Sequence, residues 1–168
     1  MNKLRSLDFE LLWELMKNSH RSDRQLAKIL KTSQPTVTRK RAKLEKEVIE
    51  GYTILPKWEK IGIEIIAFTF IRSKVKYANY KERQVAIKKA REWLMKIPNV
   101  LFSTAGEGMG WVGLTVSVHK SYSDYMEFKL KHDSELGDVL DETQTFIADT
   151  NPVSIMKPFH FKYLANTK

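Results

Sequence analysis

Two serines, at positions 22 and 33, constrain the first third of this chain more than any other feature. Ser22-Asp23-Arg24-Gln25 fits a capping box, in which a serine hydroxyl and a glutamine side chain satisfy free amides at a helix start. Ser33 precedes Gln34-Pro35, and proline is tolerated in a first helical turn because its missing amide has no partner there anyway. Leu26, Ala27, Ile29 and Leu30 form the apolar face of the first of these helices, and Lys31-Thr32-Ser33 supplies the turn. The spacing therefore predicts two short helices joined by a tight turn, the second running from Gln34 to Glu47. An earlier helix is predicted by Leu7, Leu11, Leu12, Leu15 and Met16, which recur at helical spacing and end at Asn18-Ser19-His20. Val48 to Pro56 reads as an extended segment that Pro56 terminates.

From Ile61 the pattern changes to strands alternating with helices. Strands are predicted over 61–72, 100–105, 111–119 and 139–148, and helices over 80–96 and 121–136, the latter capped by Ser121 or Ser123. One further strand is predicted over 155–164, after the Asp149-Thr150-Asn151-Pro152 turn. The order βαββαβ is that of the ferredoxin-like plait, an antiparallel sheet with two helices on one face. The fold class is therefore α+β: an N-terminal helix-turn-helix domain with a linker strand, residues 1–60, followed by a ferredoxin-like βαββαβ plait, residues 61–168. Gly106-Glu107-Gly108-Met109-Gly110 lies between two strands, outside the strand-to-helix context of a dinucleotide loop, and reads as a flexible hairpin connection.

Charge narrows the function. Of 168 residues, 29 are Lys or Arg and 20 are Asp or Glu, and residues 1–62 hold +6 of the net +9. Such an excess on one segment is the electrostatic footprint of a polyanion partner. Hydrophobic residues make up 42% of the chain, enough for a packed core. The absence of cysteine removes disulfides, thiolate metal sites and cysteine nucleophiles, and fits a reducing compartment. No apolar run approaches the roughly 20 residues of a membrane helix, so the expectation is a cytoplasmic protein with no membrane partner.

Along the helix from Gln34, Val37, Arg41 and Leu44 share one face at about 100° per residue, while Pro35, Thr36, Arg39, Ala42, Lys43 and Lys46 point the other way. The first turns of such a helix meet base edges, so Gln34, Thr36, Thr38 and Arg39, with Ser33 at the helix mouth, are the expected reading residues for double-stranded DNA. Lys40, Lys43 and Lys46, together with Arg24 and Gln25 on the preceding helix, are expected at phosphates. Catalysis is not expected. His20, His119, His132 and His160 show no metal-ligand spacing, and His132 and Asp133, being adjacent on a helix, are expected to point apart. No metal and no cofactor is expected. The aromatics Phe68, Phe70, Trp93, Trp111, Phe128 and Phe146 read as core or as a subunit interface.

Leu7-Asp8, Arg24-Gln25-Leu26-Ala27, Thr32 to Arg41, Lys43-Leu44-Glu45 and Val48 to Thr53 together resemble the DNA-binding domain of the Lrp/AsnC family of prokaryotic transcription regulators, and the remainder is similar to that family's regulatory domain. The resemblance implies a homodimer built through the plaits, its multiples such as a tetramer or octamer, and a small-molecule effector. The effector residues would be Gly106, Glu107, Gly108, Met109, Gly110 and Trp111. Three departures stand out: Glu47 runs into Val48 without the family's glycine, Arg41 occupies an aliphatic position, and the glycine segment lacks the second acid of the family's Gly-Asp-x-Asp. The Arg41 stem is expected along the core edge with its charge escaping to solvent. The leading reading is a sequence-specific transcription regulator. Its alternatives are a ligand-sensing or scaffolding oligomer with weak DNA binding, and an RNA-binding plait, whose sheet would need exposed aromatics beside basic residues.

Overall fold

Both capping signals operate in the computed structural model, which describes residues 6–74 and 80–166. The Ser22 hydroxyl accepts from the Gln25 amide, and the Gln25 side chain accepts from the Ser22 amide at 2.8 Å. Helices α1 (Ser6–Lys17), α2 (Asp23–Ile29) and α3 (Gln34–Glu47) follow one another, with Ser33 capping α3 through the Thr36 amide. Leu11, Leu15, Leu26, Ala27, Val37 and Leu44 form their shared core. The turn between α2 and α3 holds Lys31 at φ 51°, a left-handed conformation that a side chain adopts at some cost.

The chain divides into two compact units, Met1–Leu55 with Lys157–Lys168, and Pro56–Met156. Two expected strands are absent. Residues 49–57 have no regular secondary structure, because an extended segment becomes a strand only when a neighbour completes its hydrogen bonds. The expected strand over 155–164 is replaced by a turn and a 3₁₀ helix, Phe161–Asn166, which packs on α1 and buries Ala165. Asn151 and Asp149 fold the preceding chain into local turns, and Pro158 lacks the amide a ladder needs. The C-terminal segment thus lies with the helical unit rather than within the plait.

The second unit is a four-stranded antiparallel sheet, β1 (Ile65–Ser73), β2 (Val100–Gly108), β3 (Trp111–His119) and β4 (Leu140–Asp149), in the order β2-β3-β1-β4. Helices α4 (Tyr80–Leu94) and α5 (Tyr122–Leu136) complete the βαββαβ plait, with Ser121 as the α5 cap. Ala67 pairs with Ser117, Thr69 with Thr115 and Thr145, and Phe68 with Val116 and Phe146. Alternation along the strands therefore sorts the sheet into two unlike faces. Thr69, Thr115 and Thr145 line a small cavity beneath Tyr125, Phe128 and His132 of α5. The opposite face carries Phe68, Phe70, Phe102, Leu114, Val116 and Phe146. Phe102 and Phe146 are 55% and 65% exposed.

The glycine segment makes the hairpin connection, and most of it is strand. Strand β2 runs through Gly106 to Gly108, which pairs with Trp111, so Met109 and Gly110 alone make the turn. Their φ values are 52° and 80°, the double positive of the tight hairpin turn whose twist matches that of its strands. Among the described residues no helix is long and apolar enough to cross a membrane.

Two histidines are built into the plait. His119 is fully buried, with Nε2 at 2.8 Å from the Ser117 hydroxyl and Nδ1 at 3.2 Å from the Asn99 side chain. His132 packs edge-on against Trp93, and its Nδ1 meets Asp133 at 3.1 Å, so these neighbours do not point apart as expected. Burial lowers both imidazole pKa values, outweighing the Asp124 charge at His119 and the Asp133 hydrogen bond and charge at His132. The unfolded chain then binds more protons than the native one below about pH 6.5, so stability falls as pH falls through that value, by up to about 1.4 kcal/mol per pH unit per histidine. Urea unfolding between pH 8 and 5 should show this decline, and His132→Gln should make it shallower. An unchanged slope in that variant would remove His132 from the account.

Candidate nucleic-acid interface

Helix α3 turns Val37 and Leu44 into the core and leaves Gln34, Pro35, Arg39, Ala42, Lys43 and Lys46 exposed. Arg24 and Gln25 at the start of α2 and Ser33 at the mouth of α3 are exposed as well. Among the described residues, Arg24, Arg39 and Lys46 enter no ion pair, while Lys43 meets Glu47 only at 3.8 Å. Gln34 and Arg39, with Arg24, Lys43 and Lys46, thus remain exposed on the surface of the helical unit.

Other expected contacts are engaged inside the unit. The Thr38 hydroxyl donates to Asp23 Oδ2 at 2.7 Å and to the Gln34 carbonyl at 3.1 Å, tying α3 to α2 although Thr38 is exposed. Thr36 is half-buried, with its hydroxyl 2.8 Å from that of Ser33, so both belong to the helix cap. Gln25 spends its side-chain oxygen on the capping box. Lys40 points inward: its ammonium pairs with Asp8 of α1, which is only 4% exposed. Its place on the wheel lies between the buried and exposed arcs, and a buried carboxylate draws it in.

Arg41 departs from expectation most. Its guanidinium pairs with Asp23 at 3.2 Å and Glu45 at 3.0 Å, and donates to the carbonyls of Arg21 and Ser19. The Tyr52 ring lies 5.8 Å away. Burial disfavours its charge, but Glu45, Tyr52 and Asp23 more than offset that and raise its pKa. The charge therefore stays on the core edge and clamps α3 to α2 and to the turn before α2. Beside that turn Asn18, His20, Arg21, Gln25, Lys28 and Ile29 line an open groove. Sequence reading missed Arg21 and Lys28 there, although the His20-Arg21 pair ahead of the capping box offered a hint. Arg21 is held by Glu14, which also takes Lys17. Burial raises the Glu14 pKa, but those two cations hold it below the usual carboxylate value.

The six expected effector residues lie together at the β2–β3 hairpin, where Gly106 to Gly110 are exposed and Met109 is 85% exposed. The Arg72 guanidinium lies 4.7 Å over the Trp111 ring, donates to the Gly110 carbonyl and pairs with Glu142 at 2.6 Å. Arg72 and Glu142 are register partners on β1 and β4, a pairing invisible until strand register is known. No group of three or more His, Cys, Asp or Glu suited to a metal occurs among the described residues.

Residues 4–47 match a family model described as winged helix-turn-helix DNA-binding. An uncharacterized HTH-type transcriptional regulator of Pyrococcus horikoshii, PH0061, is 38% identical over 76 residues, covering 45% of this chain and 51% of that protein. The match thus spans about half of that relative. The HTH-type transcriptional regulator LrpC of Bacillus subtilis is 29% identical over 101 residues, 60% of this chain and 64% of that protein. The crystal structure of PH0061 superposes with a TM-score of 0.74 at 23% identity, covering 95% of this chain and 99% of that one. The structure of E. coli AsnC does so at 0.69 and 22%, covering 94% and 98%. The fold is that of the Lrp/AsnC regulators. Within that fold, α2 and α3 are the helix-turn-helix pair, and the plait follows them.

The two groups of α3 cations should separate in stability measurements. Lys40→Ala and Arg41→Ala each remove charged hydrogen bonds from the helical unit, and each should cost about 2 kcal/mol in urea unfolding. Arg39→Ala should stay within roughly 0.5 kcal/mol of the wild-type chain.

Proposed function

We propose that this chain is a sequence-specific DNA-binding transcription regulator of the Lrp/AsnC type that acts as a homodimer. The observation that carries the reading is the exposed Gln34 and Arg39 on the outward side of α3, flanked by Arg24, Lys43 and Lys46 and held by the Arg41 clamp. An arginine fork suits guanine and a glutamine amide suits adenine, whereas the lysines match phosphates. The helical unit holds fifteen basic and seven acidic residues, so it carries +8 of the chain's +9.

Selection of bound duplexes from a random pool supplies the site. On that site Arg39→Ala should cost about 1–3 kcal/mol and relax preference at one base pair. Lys43→Ala should weaken all duplexes alike and reduce the salt slope by about one. Equal losses for Arg39→Ala on selected and random DNA would exclude it from reading.

Dimerisation is supported by the sheet face with Phe68, Phe70, Phe102, Leu114, Val116 and Phe146, an apolar surface of the kind that marks an interface. Four phenylalanines there also fit stacked bases, but Arg72 on that face is paired with Glu142, which leaves little for a phosphate chain and disfavours the RNA-binding reading. Phe146→Glu should turn a dimer into a monomer by light scattering at micromolar concentration and abolish preference for a two-fold site. A dimeric mass in that variant would place the interface elsewhere.

A further inference from the structure

The unit Pro56–Met156 is nearly neutral, with fourteen basic and thirteen acidic residues. Its charge is nonetheless segregated. Residues 80–96, α4 and its exit, hold six basic residues and two acidic ones, +4, while the rest of the unit holds eight and eleven, −3. A surface charged only for solubility has no reason to sort its signs this way.

The sorting is directional as well. Trp93 is buried against Phe128 and His132, and Ala86, Ile87, Ala90 and Leu94 are half-buried, which fixes the inner side of α4. At about 100° per residue, Lys81, Gln84, Lys88 and Arg91 form one stripe on the opposite side, shared with Glu92 and with Met95 just past the helix, and Lys96 follows at its end. Lys88, Arg91 and Lys96 are all exposed. Lys88 meets Glu92 at 3.8 Å, a loose surface pair, and among the described residues Arg91 and Lys96 enter no ion pair. Lys89, by contrast, is held by Asp138, just past the end of α5, at 2.6 Å.

We infer that the outward stripe of α4 is a second, sequence-independent surface for duplex DNA, contacting phosphates through Lys88, Arg91 and Lys96. The inference rests on the DNA-binding reading above, and the occupant follows from charge: a row in which cations outnumber the single acid Glu92, on a unit otherwise negative, fits a polyanion of regular spacing. Such a surface engages a stretch of duplex beyond the one read by α3.

The test uses the full chain, a selected site on a minimal duplex of about 20 base pairs, and the same site inside about 80 base pairs. K88Q/R91Q/K96Q keeps good helix formers while removing three charges. On the long duplex its slope of log affinity against log salt should be shallower than wild type by about 2.7, three phosphates' worth, with no change on the short duplex. Arg39→Ala, run alongside, should lose affinity on both. Identical slopes for the triple variant and wild type on the long duplex would overturn the inference while leaving the α3 reading intact. Loss of binding to phosphatidylserine vesicles without loss on long DNA would overturn it in favour of a membrane surface. Failure of the wild-type chain on both duplexes would overturn the α3 reading, and this inference with it.

Discussion

A guanidinium stands where the apolar stripe of the third helix would otherwise continue. Arg41 lies one turn from both Val37 and Leu44, and it reaches Asp23, Glu45 and the carbonyls of Ser19 and Arg21 at once. Three pieces of chain, the approach to α2, its first residue and α3, are thereby set against one another. Everything the outward face of α3 can do depends on that angle, since a reading side chain is useful only when its helix enters the groove in one orientation. A leucine there would pack, but it would leave those carbonyls and Asp23 without this donor. Charge at the core edge thus adds directional contacts between α3, the first residue of α2 and the turn before it.

Local signals were the legible part of the sequence. Serine caps, a proline in a first turn and helical periodicity are each written within a few residues, and α2, α3, α5 and β3 emerge with boundaries within a residue or two of those observed. Contacts made across the fold were not legible. That Lys40 turns toward Asp8, 32 residues away, follows from the position of α1, which periodicity along α3 does not encode. Thr38 looks like a base reader until Asp23 is beside it. The two lost strands teach the same lesson from the backbone: residues 48–56 and 155–164 have the β-branched and aromatic composition of strands, yet pairing requires a partner that composition does not supply. The glycine spacing marked the hairpin, and of its three alternating glycines only Gly110 takes a positive φ, at 80°.

The plait has an unusual distribution of polarity. Toward its helices the sheet presents Thr69, Thr115, Ser117 and His119, all buried and tied into side-chain hydrogen bonds such as Thr69 to Thr145 at 3.0 Å and Ser103 to Thr115 at 2.9 Å. Away from them it presents phenylalanine, leucine and valine. Among the described residues no buried side-chain nitrogen or oxygen lacks a partner, so the inner layer is satisfied rather than strained. A hydrogen-bonded layer of this kind fixes register, since sliding one strand past another would break every pair at once.

The outer layer has a different consequence. With Phe102 and Phe146 more than half exposed, the native state of a lone chain leaves uncovered much of the apolar surface its sheet could bury. Any body that covers that face binds the folded chain and not the unfolded one, so the folding equilibrium acquires a dependence on how much of that body is present. If the body is a second copy, resistance to heat becomes a property of the solution as much as of the molecule, rising with protein concentration and fading on dilution.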